Sequence, residues 1–291
     1  MKKINITIFS GGSGNIELLN VLKDLKKKNL INLNLLINGY DDGKSTGFLR
    51  ELFPDMLGPS DFRKNCENLL NLEIHEHSIL KKIISYRFSN FRDFQFFISN
   101  VFKESNTYNE YKFIKNLNWQ KFTFFKNCLM KFKEALIKKN FDKTKFKDIS
   151  LGNIFFVGNY LASNKNFNSA IKNFTNFFEM RDTIHNVTDG QNLFLCGLTK
   201  KGKILKNEVE IIENKTKEMI SEIFLTKNPL KTEEKIKIEN YIQYKDKINY
   251  LRKREITPKI NKEIISIIKK TDILIYGTGT QNSSLFPSYL T

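Results

Sequence analysis

Ile4-Asn5-Ile6-Thr7-Ile8-Phe9-Ser10-Gly11-Gly12-Ser13-Gly14 is the stretch on which the fold turns. A short run rich in β-branched residues gives way abruptly to glycines, as a strand does when it empties into a tight turn. A helical pattern follows at once, with Ile16, Leu18, Leu19, Leu22 and Leu25 on one face and lysines on the other. Leu33 to Ile37 is a second apolar run, and it stops at Asn38-Gly39. Strand, glycine turn, helix, strand opens a parallel α/β sheet, and the right-handed crossover rule sets both turns on its carboxyl edge. The far end repeats the pattern. Asp272 to Tyr276 reads as a buried strand leading into Gly277-Thr278-Gly279-Thr280.

Between these ends the texture changes. From Leu72 to Lys147 glycine vanishes, and 13 of the 26 phenylalanines fall between Phe88 and Phe146. Phe94, Phe97, Ile98, Val101 and Phe102 recur at helical spacing, so residues 72–147 are expected to form an α-helical insertion within one α/β domain spanning 1–291. Its aromatic stripe reads as core rather than as a surface for stacking bases. It leaves two further roles open, a homodimer surface or a cover over a pocket. Near Ser150 the α/β pattern returns, with helices over Ile154 to Leu161 and Ala170 to Phe178. A strand pair is expected over Leu193 to Leu198 and Ile204 to Ile212, turning at Lys200-Lys201-Gly202-Lys203. Residues 213–257 read as charged surface helices, and a helix is expected from Pro258 to Lys270.

Composition narrows the function. The chain has 291 residues, 48 Lys plus Arg and 31 Asp plus Glu, a net charge of +17. The lysines are scattered rather than gathered into a stripe, and Lys, Asn, Ile and Phe are inflated together, so the charge does not argue for nucleic acid. The longest apolar runs fall far short of a membrane span. Cys66, Cys128 and Cys196 lie far apart with no paired spacing, so neither a zinc site nor a disulfide framework is suggested, and a reducing cytoplasm is expected.

Three loops carry chemistry. Gly11, Gly12 and Ser13 sit between a strand and a helix, where backbone amides and the helix N-terminus favour an anion. The full dinucleotide fingerprint and the P-loop Lys-Ser/Thr pair are both absent. In Gly39-Tyr40-Asp41-Asp42-Gly43-Lys44-Ser45-Thr46-Gly47, two carboxylates suit Mg²⁺ or a ribose. There, Lys44, Ser45 and Thr46 suit phosphate oxygens. The third loop, with Gly277, Gly279 and Thr280, offers amides and hydroxyls to a phosphate or sugar. His75 and His77, beside Glu73 and Glu76, read as solvated surface because the two rings of His-x-His on a helix do not aim at one point.

These motifs, in this order, resemble the superfamily that contains 2-phospho-L-lactate transferase and the bacterial gluconeogenesis-factor proteins, the CofD-like family. Gly11-Gly12-Ser13-Gly14 is similar to its Gly-Gly-Thr-Gly loop. Asp41-Asp42-Gly43-Lys44-Ser45-Thr46-Gly47-Phe48-Leu49-Arg50 resembles the Asp-Asp-Gly-Gly-Ser-Ser-Gly-Arg-Leu-Arg of the gluconeogenesis-factor branch, with Lys44 in place of a glycine. Gly58-Pro59-Ser60-Asp61-Phe62-Arg63-Lys64-Asn65-Cys66 resembles Pro-Pro-Gly-Asp-Ile-Arg-Asn-Cys, with one extra residue before the Asn. Ser150-Leu151-Gly152-Asn153 and Ser284-Leu285-Phe286-Pro287 match further turns. The resemblance implies a Rossmann-like core holding a nucleotide or nucleotide-diphosphate ligand. It also implies a Mg²⁺-dependent transfer of a phospho-hydroxyacid from a nucleotide-activated donor. On that reading Asp41 and Asp42 hold Mg²⁺, Asp42, Asp61 and Arg63 are catalytic, and Asn153 contacts the nucleotide. The alternative is a non-catalytic UDP-sugar-binding regulator of carbon or envelope metabolism. Family members carry a last strand and helix beyond the point matching Thr291, so the sheet is expected to lack an edge.

Overall fold

A computed structural model of the chain describes residues 2–12, 14–103, 112–180, 183–214, 218–277 and 279–290, without the side chains of residues 44 and 112. In chain order the elements are β1 (Ile4–Phe9), α1 (Ile16–Lys27), β2 (Ile31–Ile37), α2 (Lys44–Leu52), α3 (Ser60–Leu69) and α4 (His75–Ser85). There follow β3 (Arg87–Phe88), α5 (Phe91–Asn100), α6 (Lys112–Lys115), α7 (Trp119–Ile137), β4 (Ile149–Ser150), α8 (Leu151–Ala162) and α9 (Phe167–Phe177). The last third holds β5 (Ile184–Asn186), β6 (Phe194–Thr199), β7 (Ile204–Leu205), α10 (Glu208–Ile212), β8 (Ile220–Thr226), α11 (Thr232–Glu239) and α12 (Tyr244–Arg252). It closes with α13 (Lys262–Lys269), β9 (Ile273–Tyr276) and α14 (Phe286–Tyr289).

The central sheet runs β5-β2-β1-β9, all parallel. Its strands alternate as a two-sided sheet must. Ile6 and Ile8 enter the main core, while Phe9, Leu36 and Val187 meet Ile264 of α13 on the other face. The expected α/β class, a mostly parallel sheet flanked by helices, holds. The Phe-rich helices share the main core, since Ile6, Leu33, Phe94 and Phe155 belong to one continuous cluster. A separate antiparallel sheet, β7-β6-β8, packs a small core with α11 and α12.

Several sequence expectations change. Residues 213–257 contain β8, the longest partner of β6, rather than helices alone. The strand expected to reach Ile212 ends at Leu205, and α10 takes over. The helix expected at Pro258 starts at Lys262, with Asn261 accepting from the Glu263 amide. β9 is not buried: Ile273, Leu274 and Tyr276 are 46%, 37% and 64% exposed, because β9 pairs with β1 on one side only. Among the described residues no helix is long and apolar enough to cross a membrane.

Candidate functional site

β1, β2 and β9 end side by side, so the turns after them meet. A β-carbon placed on Gly11 would lie 2.9 Å from Ser284 Cβ and 3.7 Å from Gly279 Cα, which shows how closely the first and third turns abut. α3 closes in from below. A β-carbon on Gly12 would fall 2.2 Å from Asp61 Oδ1 and 2.7 Å from Lys64 Cδ, so this backbone runs against those side chains only because it is glycine.

A buried network fixes this junction. The Asn65 side-chain amide donates to the Gly11 and Asp61 carbonyls, each at 2.8 Å. Ser10 Oγ donates to Asn65 Oδ1 at 3.0 Å, and Asn15 Nδ2 donates to Ser10 Oγ at 2.6 Å. Asn65 is thus the tie between the first turn and α3.

The turns enclose a cavity of about 640 Å³, lined among others by Gly12, Asp41, Ser45, Thr46, Asp61, Arg63, Lys64, Asn153, Glu208, Gly279, Thr280 and Ser284. Gly277 sits behind this rim, its amide donating to the Phe9 carbonyl at 3.0 Å. Ser13 and the Lys44 side chain lie outside what is described. Asp41 and Asp42 do not converge on one point. Asp41 lines this cavity, whereas Asp42 lines a second one beside Arg50, Asn192 and Phe194. α2 starts at Lys44 with Gly43 as its N-cap, so Ser45 and Thr46 stand on the first turn of a helix that faces the cavity.

The charges are strongly perturbed. Burial, and next the charge of Asp41, push Asp61 up to about 6 against the pull of Lys64, whose Nζ is 3.4 Å from Asp61 Oδ1. Burial pushes Asp42 up to about 6 as well. Burial also works to raise Asp41. A hydrogen bond from the Glu208 carboxyl, the charge of Lys64, the Gly43 amide and Thr46 outweigh it and leave Asp41 below its ordinary value. Glu208 itself is pushed up to about 10 by burial and by the adjoining Asp41 charge, so the two carboxyls share one proton with Glu208 as its holder.

Arg63 pairs not with Asp61 but with Glu67, at 2.7 Å, and Glu67 in turn holds Lys81 at 2.7 Å. Asn153 sits on the first turn of α8. Ser150 caps its amide at 3.1 Å, its Nδ2 donates to Ser60 Oγ at 3.0 Å, and its buried Oδ1 accepts from no group among the described residues. A buried acceptor without a donor in a polar cavity is a place for one on a ligand. His77 is pinned rather than solvated: Nδ1 accepts from the Asn71 amide at 3.0 Å, which leaves Nε2 to donate to Glu179 at 3.1 Å. His185 is buried within β5.

Glu208, Lys64 and Asn65 went unassigned in the sequence reading. Lys64 had a local signal, its i+3 spacing from Asp61 on one helix. Glu208 had none, since its partners lie 166 residues away.

A family model described as 2-phospho-L-lactate transferase CofD matches residues 6–291. No curated protein matches the chain. Two crystal structures of a UPF0052-family protein from Bacillus halodurans are similar at TM-score 0.62 and 20% identity, covering 100% of this chain and 63% of that one. The chain therefore spans 63%, less than two thirds, of the length of that protein and shares its fold. It belongs to the CofD family.

Proposed function

We propose that the cavity binds the diphosphate of a nucleotide-activated donor and that the chain transfers a phospho-hydroxyacid, or a related phosphoryl-linked group, from it. The observation that carries this reading is the meeting of the three turns, with Asp41, Asp61 and Lys64, around one cavity. Transfer of this type needs positioning and charge neutralisation more than covalent chemistry. The Gly12 and Gly279 backbone and the Thr280 and Ser284 hydroxyls receive the diphosphate oxygens. Lys64 and Arg63 offset its charge, and Asn153 Oδ1 accepts from a ribose hydroxyl or a base N–H.

Among the described residues no group of three or more Asp, Glu, His or Cys is arranged to hold a metal. That donor set fits Mg²⁺ nonetheless, because Mg²⁺ is commonly bound by one or two carboxylates completed by substrate phosphates and water. Asp41 is the carboxylate to hold it, and the ion would neutralise charge building on the diphosphate. Asp61, steered by Lys64, takes the proton of the attacking hydroxyl. Asp42, turned toward the second cavity, supports the loop instead.

The test is incubation of GDP- and UDP-linked donors with hydroxyl acceptors and Mg²⁺, reading nucleoside monophosphate release. Release that disappears in Asp61→Asn supports transfer. Ligand-induced stabilisation with no turnover supports the second reading, a non-catalytic UDP-sugar-binding regulator, which the gluconeogenesis-factor resemblance of residues 41–50 favours.

A further inference from the structure

Glu208 opens α10, and the segment it belongs to comes from the small antiparallel sheet rather than the parallel one. Its side chain is nonetheless stitched to the turn after β2. Glu208 Oε2 accepts from the Asp42 amide at 3.0 Å, and the Glu208 amide donates back to Asp42 Oδ1 at 3.0 Å. The two residues thus form a closed ring of two backbone-to-side-chain bonds, charge-assisted where the Asp42 carboxylate accepts and neutral where the protonated Glu208 carboxyl accepts. The ring turns Asp42 away from the main cavity and leaves Asp41 facing it, with Asp41 Oδ1 accepting the Gly43 amide at 3.0 Å.

We propose that Glu208 is a positioning residue, which holds the Asp41–Asp42 turn so that Asp41 alone presents its carboxylate to the cavity. The proposal rests on the reading of that cavity as the diphosphate and Mg²⁺ site. Its physical content is that two adjacent carboxylates on one turn are interchangeable unless something fixes which faces inward. Within residues 39–47 the Gly43 amide and Thr46 hold Asp41, but only the long-range ring ties down Asp42 and takes it out of the cavity. The small antiparallel sheet therefore serves the site from a distance, as an anchor for this turn.

Hydrogen exchange on the ligand-free protein reads the ring directly, using Glu208→Gln, Glu208→Asp and Glu208→Ala. Gln keeps an oxygen for the Asp42 amide and an N–H for Asp41. Asp is one methylene short, and Ala has neither group. The Asp42 amide is expected to exchange about tenfold faster in the Asp and Ala variants, the scale of one lost hydrogen bond, and to stay protected in Gln. Amides of β1 and β2 should be unchanged, which a general loss of stability would not allow. If Ala does not fold, Asp carries the comparison.

Affinity for GDP and UDP is then measured with and without Mg²⁺. Wild type and Gln should show the same Mg²⁺-dependent gain, and Asp should lose most of it while keeping its metal-free affinity. Unchanged Asp42 protection in Glu208→Asp overturns the proposal, as does a Gln variant as defective as Asp. Should wild type bind neither nucleotide, the proposed function fails, while the exchange data still judge the ring.

Discussion

Two stretches of α8, two residues apart, are made for different ends. Phe155 packs ring on ring against Phe125, Phe174 and Phe177, with centroids at 5.1, 5.4 and 4.7 Å, inside the main hydrophobic cluster. Asn153, one half-turn earlier, faces a polar cavity with an acceptor left over. The aromatic region gains from each contact it makes. The cavity holds carboxyls at close quarters with raised proton affinity, an arrangement that costs stability and suits ligand chemistry. Stability and activity should therefore separate along one helix.

The largest test of that separation is Phe155→Ala. Removing a fully buried ring is expected to cost about 3–5 kcal/mol in a denaturant melt while nucleotide affinity of the folded fraction stays as in wild type. Affinity falling in step with stability would break the contrast. Next comes Asp61→Asn, expected to lower monophosphate release by about 10²–10⁴-fold, the scale of one acid–base group. The same variant should melt no lower than wild type.

Its pH dependence sharpens the point. Asp61 has a folded value of about 6, above its ordinary 3.8. Its contribution to wild-type stability is therefore complete below pH about 4 and is lost as pH rises through 6. The melting difference between Asp61→Asn and wild type should grow in favour of the variant across that window and then level off. Smaller again is Lys64→Ala, which should weaken diphosphate binding about tenfold by titration calorimetry, with the melting temperature nearly unmoved because Lys64 is partly exposed.

The sequence was most readable where periodicity was clean. β1, α1 and β2 follow a pattern of apolar spacing and glycine punctuation that only a parallel α/β unit satisfies. β8 was hidden because Ile220, Ile223, Phe224 and Leu225 sit between lysine- and glutamate-rich flanks that read as surface helix. β9 looked buried because Ile273 to Tyr276 is uniformly apolar. Which side of a sheet lacks a neighbour is a property of topology rather than of any local run. In the site, the turns were legible from glycine placement, but the opposite aim of Asp41 and Asp42 was not. Asp42's side of it is tied down by Glu208, on the helix that follows β7, and no spacing rule joins two residues so far apart.

The Asn65 network has a consequence for how binding should look in a calorimeter. Gly11, Ser10, Asn15 and the start of α3 are already locked together by buried hydrogen bonds, so the anion cradle meets its guest ready-shaped. Little chain freedom remains to be surrendered on arrival, and the entropic penalty of capture should be small for a polar ligand. Asn65→Ala would convert that stiff seat into a soft one, and its signature should be a less favourable binding entropy with the enthalpy largely kept.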